Sequence, residues 1–194
     1  MKIIGITGGV GSGKSKVLEY IKSKYNADSC QLDEVARELQ RKGSDCYEQI
    51  VKAFGMEVLL ENGELNRQKL AEIIFENPEK RELLNSIVHP KVKQWVIDDM
   101  EKCRAKGSDL YVIEAALLIE ADYGEICHEM WYIYADDAVR TERLRESRGY
   151  SKEKIESILA SQLSHEEFRK AVDFVIDNSG SFQETTIQID KIKS

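Results

Sequence analysis

The chain of 194 residues has no long apolar run. Its one N-terminal apolar stretch, Ile3 to Ile6, breaks at once into glycines and is too short for a signal segment or a membrane span. A cytosolic location and no membrane partner are therefore expected. Cysteine is sparse: Cys30, Cys46, Cys103 and Cys127 lie far apart and form no CxxC pair. A chain of this size builds its own core without disulfides, so the four read as free buried thiols. Positive charge is in deficit, with 28 Lys and Arg against 35 Asp and Glu and a net charge of -7, which excludes a general affinity for nucleic-acid phosphates. With only 2 prolines and no Pro/Gly/Ser-rich linker, repeat or low-complexity tract, nothing marks a hard domain boundary.

Apolar residues make up 42% and charged residues 32%, enough apolar surface for a core and no sign of disorder. The length suits one domain of roughly 100 to 200 residues. Lys2 to Thr7 reads as a buried strand, followed by a glycine-rich turn and a helix whose Val17, Leu18 and Ile21 share one face. A second strand is expected over Ala27 to Leu32, with helices at Asp33 to Arg41 and Tyr47 to Phe54. From Asn66 to Lys106 the pattern is charged and helical, with breaks expected at Asn77-Pro78 and His89-Pro90. Strands follow at Leu110 to Ile113, Met130 to Tyr134 and Phe174 to Ile176, with helices at Asp136 to Glu146 and Gln183 to Ile192. This alternation predicts an α/β fold of three layers around a parallel central sheet.

Gly8-Gly9-Val10-Gly11-Ser12-Gly13-Lys14-Ser15 matches GxxxxGK[ST] between a strand and a helix, the context that a phosphate-binding P-loop requires. Glycines let successive N–H groups point at phosphate oxygens, the helix N-terminus adds a favourable field, Lys14 spans the β and γ phosphates, and Ser15 ligates Mg2+. Such a loop serves GTPases, ATPases and metabolite kinases alike. A guanine-reading NKxD sequence is absent, and the DxxG match at Asp177 to Gly180 lies too near the C-terminus to act as a switch. ATP with Mg2+ is the expected ligand.

Other residues must supply the chemistry. Asp33 follows the second strand, where its carboxylate either accepts a proton from an attacking hydroxyl or caps the helix that begins at Glu34. Glu114 ends the apolar run Leu110 to Ile113, where it either supports the Mg2+ shell through water or is a satisfied polar strand end. Between residues 140 and 154 stand Arg140, Arg143, Arg145, Arg148, Lys152 and Lys154 against three glutamates, a basic stretch in an acidic protein. It reads either as a mobile lid that neutralises phosphoryl charge or as a solvated helix face.

Taken together, MKIIGITGGVGSGKS at the N-terminus, the Asp33 segment, IVHPKV at 87–92, ALLIE at 116–120, Gln162 and VDFVIDNSG at 172–180 resemble the dephospho-coenzyme A kinase family. The resemblance spans nearly the whole chain. It implies ATP-dependent phosphorylation of the ribose 3'-hydroxyl of dephospho-coenzyme A, the final step of coenzyme A synthesis. It also implies a single P-loop kinase domain over 1–194: a nucleotide-binding core (1–33, 107–138, 171–194), a helical substrate-binding insertion (34–106) and a basic lid (139–170). Carried over by position, Gly11, Ser12, Gly13, Lys14, Ser15 and Lys16 hold ATP, and Asp33 is the catalytic base beside Lys14. Arg140, Arg143 and Arg148 reach phosphate from the lid, Asn178 lies at the adenine site, and His89 and Glu114 belong to the substrate wall or site. The expected partner is the small-molecule acceptor, and the chain is expected as a monomer or weak homo-oligomer. Three positions depart from the family's usual pattern: Gln31 stands for the first acid of Asp-x-Asp, Ala116 for a proline, and Lys16 for a threonine. Two other readings remain: a P-loop kinase for another nucleotide or small alcohol, and a non-catalytic ATP-binding sensor.

Overall fold

The computed structural model describes residues 1–193. The strands are β1 (Lys2–Thr7), β2 (Asp28–Gln31), β3 (Leu110–Glu114), β4 (Glu129–Tyr134) and β5 (Phe174–Asp177). The helices are α1 (Lys14–Tyr25), α2 (Leu32–Leu39), α3 (Asp45–Phe54), α4 (Arg67–Glu76), α5 (Pro78–Ala105), α6 (Asp137–Arg148), α7 (Lys152–Ala160), α8 (His165–Lys170) and α9 (Phe182–Lys193). No described helix is long and apolar enough to cross a membrane. The chain divides into two compact units, Met1–Ser29 with the segment from Cys103 onward, and Cys30–Lys102.

The sheet order is β2-β3-β1-β4-β5, and β1 pairs in parallel with β3 and β4, as β4 does with β5. Parallel strands need crossover helices, which cover both faces and leave the strands apolar along their length. Ile4, Ile6, Val112, Trp131, Ile133 and Ile176 pack on one face against Val17, Leu18 and Ile21 of α1 and Ile189 of α9. On the other face Tyr132 stacks on Phe168 of α8, with ring centroids 4.5 Å apart. At Gly5 of β1, a Cβ would collide with the side chains of Met130, Leu118 and Cys127, so glycine is what lets those groups close over the central strand. The result is the expected three-layer α/β fold.

A cluster of polar side chains pins α1 to α9. Asp190 accepts hydrogen bonds from Tyr20 Oη (2.8 Å), Tyr25 Oη (2.7 Å) and Lys24 Nζ (2.5 Å). Lys24 and the two tyrosines hold the Asp190 carboxyl down at about 2, below its ordinary 3.8.

The second unit is helical. Ser44 accepts from Tyr47 N (3.0 Å) at the start of α3, and Asn66 accepts from Lys69 N (3.0 Å) at the start of α4, the two caps that punctuate an otherwise charged stretch. The expected break at Asn77-Pro78 is present, with Asn77 closing α4 and Pro78 opening α5. The expected boundary at His89-Pro90 is not: α5 runs through it for 28 residues. Leu84, Val88, Val92, Val96 and Met100 form a buried stripe at four-residue spacing on both sides of the proline. His89 and Pro90 project from the exposed face, so the Ser86 carbonyl that loses its amide partner remains accessible to water. Burial of the stripe outweighs the local penalty.

Two stability predictions follow from this packing. Proline in a helix interior is less favourable than alanine by about 3 kcal/mol, so Pro90→Ala should raise the unfolding temperature by about 5 to 10 °C in circular dichroism melts. A fall would mean that residue 90 is not in a continuous helix. Because the folded pKa of Asp190 lies below its unfolded value of about 3.9, its stabilisation is present at neutral pH and is lost as pH falls toward 2. Asp190→Asn should therefore melt earlier than the parent at pH 7, with the gap closing near pH 2; equal melting temperatures at pH 7 would refute the pin.

Candidate active site

The glycine-rich loop leaves the end of β1 and enters α1 at Lys14. Gly13 stands at the helix N-cap with φ 91°, a left-handed conformation that favours glycine, and a Cβ there would run into the Asn178 amide. At Gly9 a Cβ would meet the Arg140 guanidinium. At both glycines another side chain closes directly onto the loop.

The loop carbonyls are held from outside. Arg140, only 6% exposed, donates through Nε to Val10 O (3.0 Å). Asn178 donates through Nδ2 to Ser12 O (2.7 Å). Arg143 donates to Asn178 O (2.8 Å) and, more weakly, to Ser12 O (3.4 Å). With the Val10 and Ser12 carbonyls held from outside, the loop leaves the amides of Gly11, Gly13 and Ser15 without a partner among the described residues. Ser12 Oγ is a buried hydroxyl that also lacks one. Unpaired donors at a helix N-terminus form a cradle suited to an anion with several oxygens.

Lys14 lies folded into that cradle, donating to Gly8 O (2.8 Å) and Gly9 O (3.4 Å), with the Glu114 carboxylate 3.8 Å away. Glu114 is the last residue of β3 and is buried. Both side chains are about one-tenth exposed, so their attraction is little screened. The Ser15 residue is exposed and its hydroxyl has no partner among the described residues. No group of three or more His, Cys, Asp or Glu side chains among the described residues converges as a metal cage. One alcohol and one nearby carboxylate suit a small hard cation that takes most of its oxygens from phosphate and water, as Mg2+ does.

The basic stretch of the sequence folds into α6, α7 and α8. The Arg140 guanidinium is shared among Val10, Asp137 (3.0 Å) and Gln162, and Gln162 Oε1 also accepts from Val10 N (3.2 Å). Asp137 Oδ1 lies 3.3 Å from His165 Nε2, and His165 Nδ1 lies 2.5 Å from Tyr132 Oη. Burial pushes the Tyr132 phenol up to about 12. Arg148, at the end of α6, is exposed and sits over Tyr150 instead, 5.8 Å from the ring centroid. Lys16 lies over the Phe182 ring at 4.2 Å.

Asn178 is only 3% exposed, and both ends of its amide are engaged, Nδ2 with Ser12 O and Oδ1 with Thr185 Oγ1 (2.8 Å). Gln162 is one of the residues that carry the family resemblance, but its bond to the loop has no local signal in the sequence, and the Tyr132–His165–Asp137 chain has none beyond the Ser164-to-Glu167 capping box, which places His165 at a helix start. In the second unit Asp33 is the second residue of α2, whose N-cap is Gln31, so the capping role expected for Asp33 falls away. Its carboxylate is exposed and has no partner among the described residues. His89 projects from the outer face of α5.

Comparison with known proteins agrees with this arrangement. The family model for dephospho-CoA kinase matches residues 2–184. A dephospho-CoA kinase of Geobacillus kaustophilus is 37% identical over 186 residues, 96% of this chain and 92% of that protein. Among solved structures, TT1252 from Thermus thermophilus superposes with a TM-score of 0.85 at 27% identity, covering 98% of this chain and 95% of that one. The dephospho-CoA kinase from Campylobacter jejuni superposes with a TM-score of 0.70 at 26% identity over 99% and 98% of the two chains. A strand-to-helix phosphate cradle braced by Arg140 and Asn178, together with likeness over nearly the full length, makes this chain a member of the dephospho-CoA kinase family.

Proposed function

We propose that the protein transfers the γ-phosphoryl group of ATP to the ribose 3'-hydroxyl of dephospho-coenzyme A, yielding ADP and coenzyme A. The observation that carries this is the cradle itself, with its unpaired amides, its in-folded Lys14 and a family match over residues 2–184. Phosphoryl transfer involves little covalent chemistry by the protein, so positioning and charge do most of the catalysis.

In this reading Lys14 exchanges the Gly8 and Gly9 carbonyls for the β and γ phosphates, and the amides of Gly11, Gly13 and Ser15 hold the phosphate oxygens. Ser15 supplies the protein's alcohol ligand to Mg2+, with Glu114 supporting the hydration shell. Bound Mg2+ would neutralise charge that builds up between the β and γ phosphates. Asp33 accepts the proton of the 3'-hydroxyl as its oxygen bonds to the γ phosphorus. The bond to the β-γ bridging oxygen breaks, and ADP leaves with that electron pair.

Arg140 and Asn178 act on the nucleotide through the loop they brace, since their polar atoms are taken by Val10, Ser12, Asp137, Gln162 and Thr185. For Arg140 to meet the transferred phosphate directly it must first leave Asp137 and Gln162. Arg148 and Lys16, both exposed, remain available to nucleotide phosphates at the cost of their ring contacts. His89 is assigned to the outer wall of the acceptor region.

The first test is ADP release from Mg-ATP with and without dephospho-coenzyme A, with mass spectrometry of the product. One added phosphate at the 3'-position is expected. ATP binding without acceptor-dependent release would point instead to a sensor, and transfer only to another alcohol would move the acceptor assignment. Lys14→Ala should lower kcat/KM by about 100- to 1,000-fold in a protein that still folds. Asp33→Asn should retain ATP binding and lose about 100- to 10,000-fold in kcat, and near-parental turnover would remove Asp33 from the role of base.

A further inference from the structure

Arg140 braces the phosphate loop at Val10, and its hold there depends on what fixes the far side of its guanidinium. The group is buried, and the carboxylate that pairs with it is Asp137, with Oδ1 3.0 Å from Nη1. The Asp137 side chain is itself 57% exposed and stands at the first residue of α6. Together with Arg140, Gln162 and His165 it lines a cleft of about 350 Å³, which gives its carboxylate room to turn away. An exposed carboxylate is held weakly by one ion pair, because ordering the side chain and removing its water offset most of the attraction. A second contact is needed to keep it facing Arg140.

His165, the first residue of α8, supplies that contact and is anchored in its turn. Its Nε2 lies 3.3 Å from the same Asp137 Oδ1 that faces Arg140. Its Nδ1 lies 2.5 Å from the hydroxyl of Tyr132, a buried residue of β4 that stacks on Phe168. Tyr134 meets the imidazole edge-on, with ring centroids 4.8 Å apart. The Ser164 capping box fixes the backbone from which the ring projects. An ionised carboxylate only accepts, so the contact with Asp137 is a bond in the ring forms that carry hydrogen on Nε2, the neutral tautomer and the cation. In both forms the Tyr132 hydroxyl completes the other side, because it accepts or donates as the ring requires. Rigidity thus passes outward from the sheet, through Tyr132, His165 and Asp137 to Arg140 and the loop.

We propose that His165 is a positioning residue for nucleotide binding. It fixes the Asp137 carboxylate, which holds Arg140 on the Val10 carbonyl and so keeps the loop amides aimed at phosphate. The proposal rests on the ATP-binding part of the function given above and is independent of the choice of acceptor.

Calorimetric titration with Mg-ATP, without acceptor, compares the parent protein with two variants. His165→Phe keeps the ring packing on Tyr134 and loses both nitrogens, whereas His165→Gln keeps a polar side chain. His165→Phe should bind Mg-ATP about 3- to 10-fold more weakly, the range for one partly exposed polar contact, and His165→Gln should regain most of that loss. In an Asp137→Ala background the same His165→Phe change should alter Kd by less than about twofold, because its route to the loop is already cut. In the transfer assay the loss should fall on KM for ATP, with kcat kept within about twofold, since Lys14 and Asp33 are untouched. Circular dichroism melts establish that each variant is folded. A parental Kd in folded His165→Phe, an effect that persists in full without Asp137, or a loss confined to kcat overturns the proposal and leaves the ATP site standing. A parent protein that does not bind Mg-ATP overturns both the proposal and the function it rests on.

Discussion

The bracing of the phosphate loop from its outer side is the constraint on which the site depends. A P-loop works only when its N–H groups face inward together, and that geometry requires the carbonyls to face outward and find donors there. Arg140 meets Val10 O, while Asn178 and Arg143 meet Ser12 O, so the donors come from α6 and from the end of β5. Both elements are fixed by the same parallel sheet that carries β1 into the loop. The core strands and the anion cradle are therefore one construction, in which packing Trp131, Ile133 and Ile176 around β1 also delivers the loop's supports.

The electrostatics of the resting site follow from that arrangement. With no phosphate in the cradle, Lys14 uses the loop's own carbonyls and the Glu114 carboxylate as substitutes. These partners hold the ammonium in position at small cost, and a polyanion displaces them because it offers more charge at closer range. Arg140 is arranged differently. It is buried and shared among three acceptors, and its link through Asp137 to His165 and Tyr132 joins the loop to α8 on the far face of the sheet. Such a network rigidifies the loop and makes Arg140 a poor candidate for free movement.

The helical unit solves another problem. Its sequence is charged, yet it must bury enough apolar surface to hold its helices together. Caps at Ser44 and Asn66 define the helix starts, and the long stripe from Leu84 to Met100 gives α5 enough burial to carry a proline within it. The exposed carboxylate of Asp33 and the Arg37 side chain one turn away then lie on a single short helix, α2, which keeps their spacing independent of the rest of the unit.

Much of this was legible along the chain. Short buried runs marked each β-strand to within a residue or two, and the glycine-lysine-serine sequence marked the loop, because these signals are local and follow from backbone geometry. The misreadings share one physical cause. His89-Pro90 read as a helix end because proline breaks a local hydrogen bond, yet burial of residues up to two turns away on either side decides the outcome. The capping alternative for Asp33 takes the helix to begin at Glu34, two residues after its actual start at Leu32. By itself the sequence determined the strand-loop-helix order and the residue types of the phosphate cradle. Only the tertiary structure decided that Arg140, Gln162 and Asn178 hold the loop and that His165 pairs with Tyr132, because those contacts join residues 33 to 166 positions apart and no local pattern encodes them.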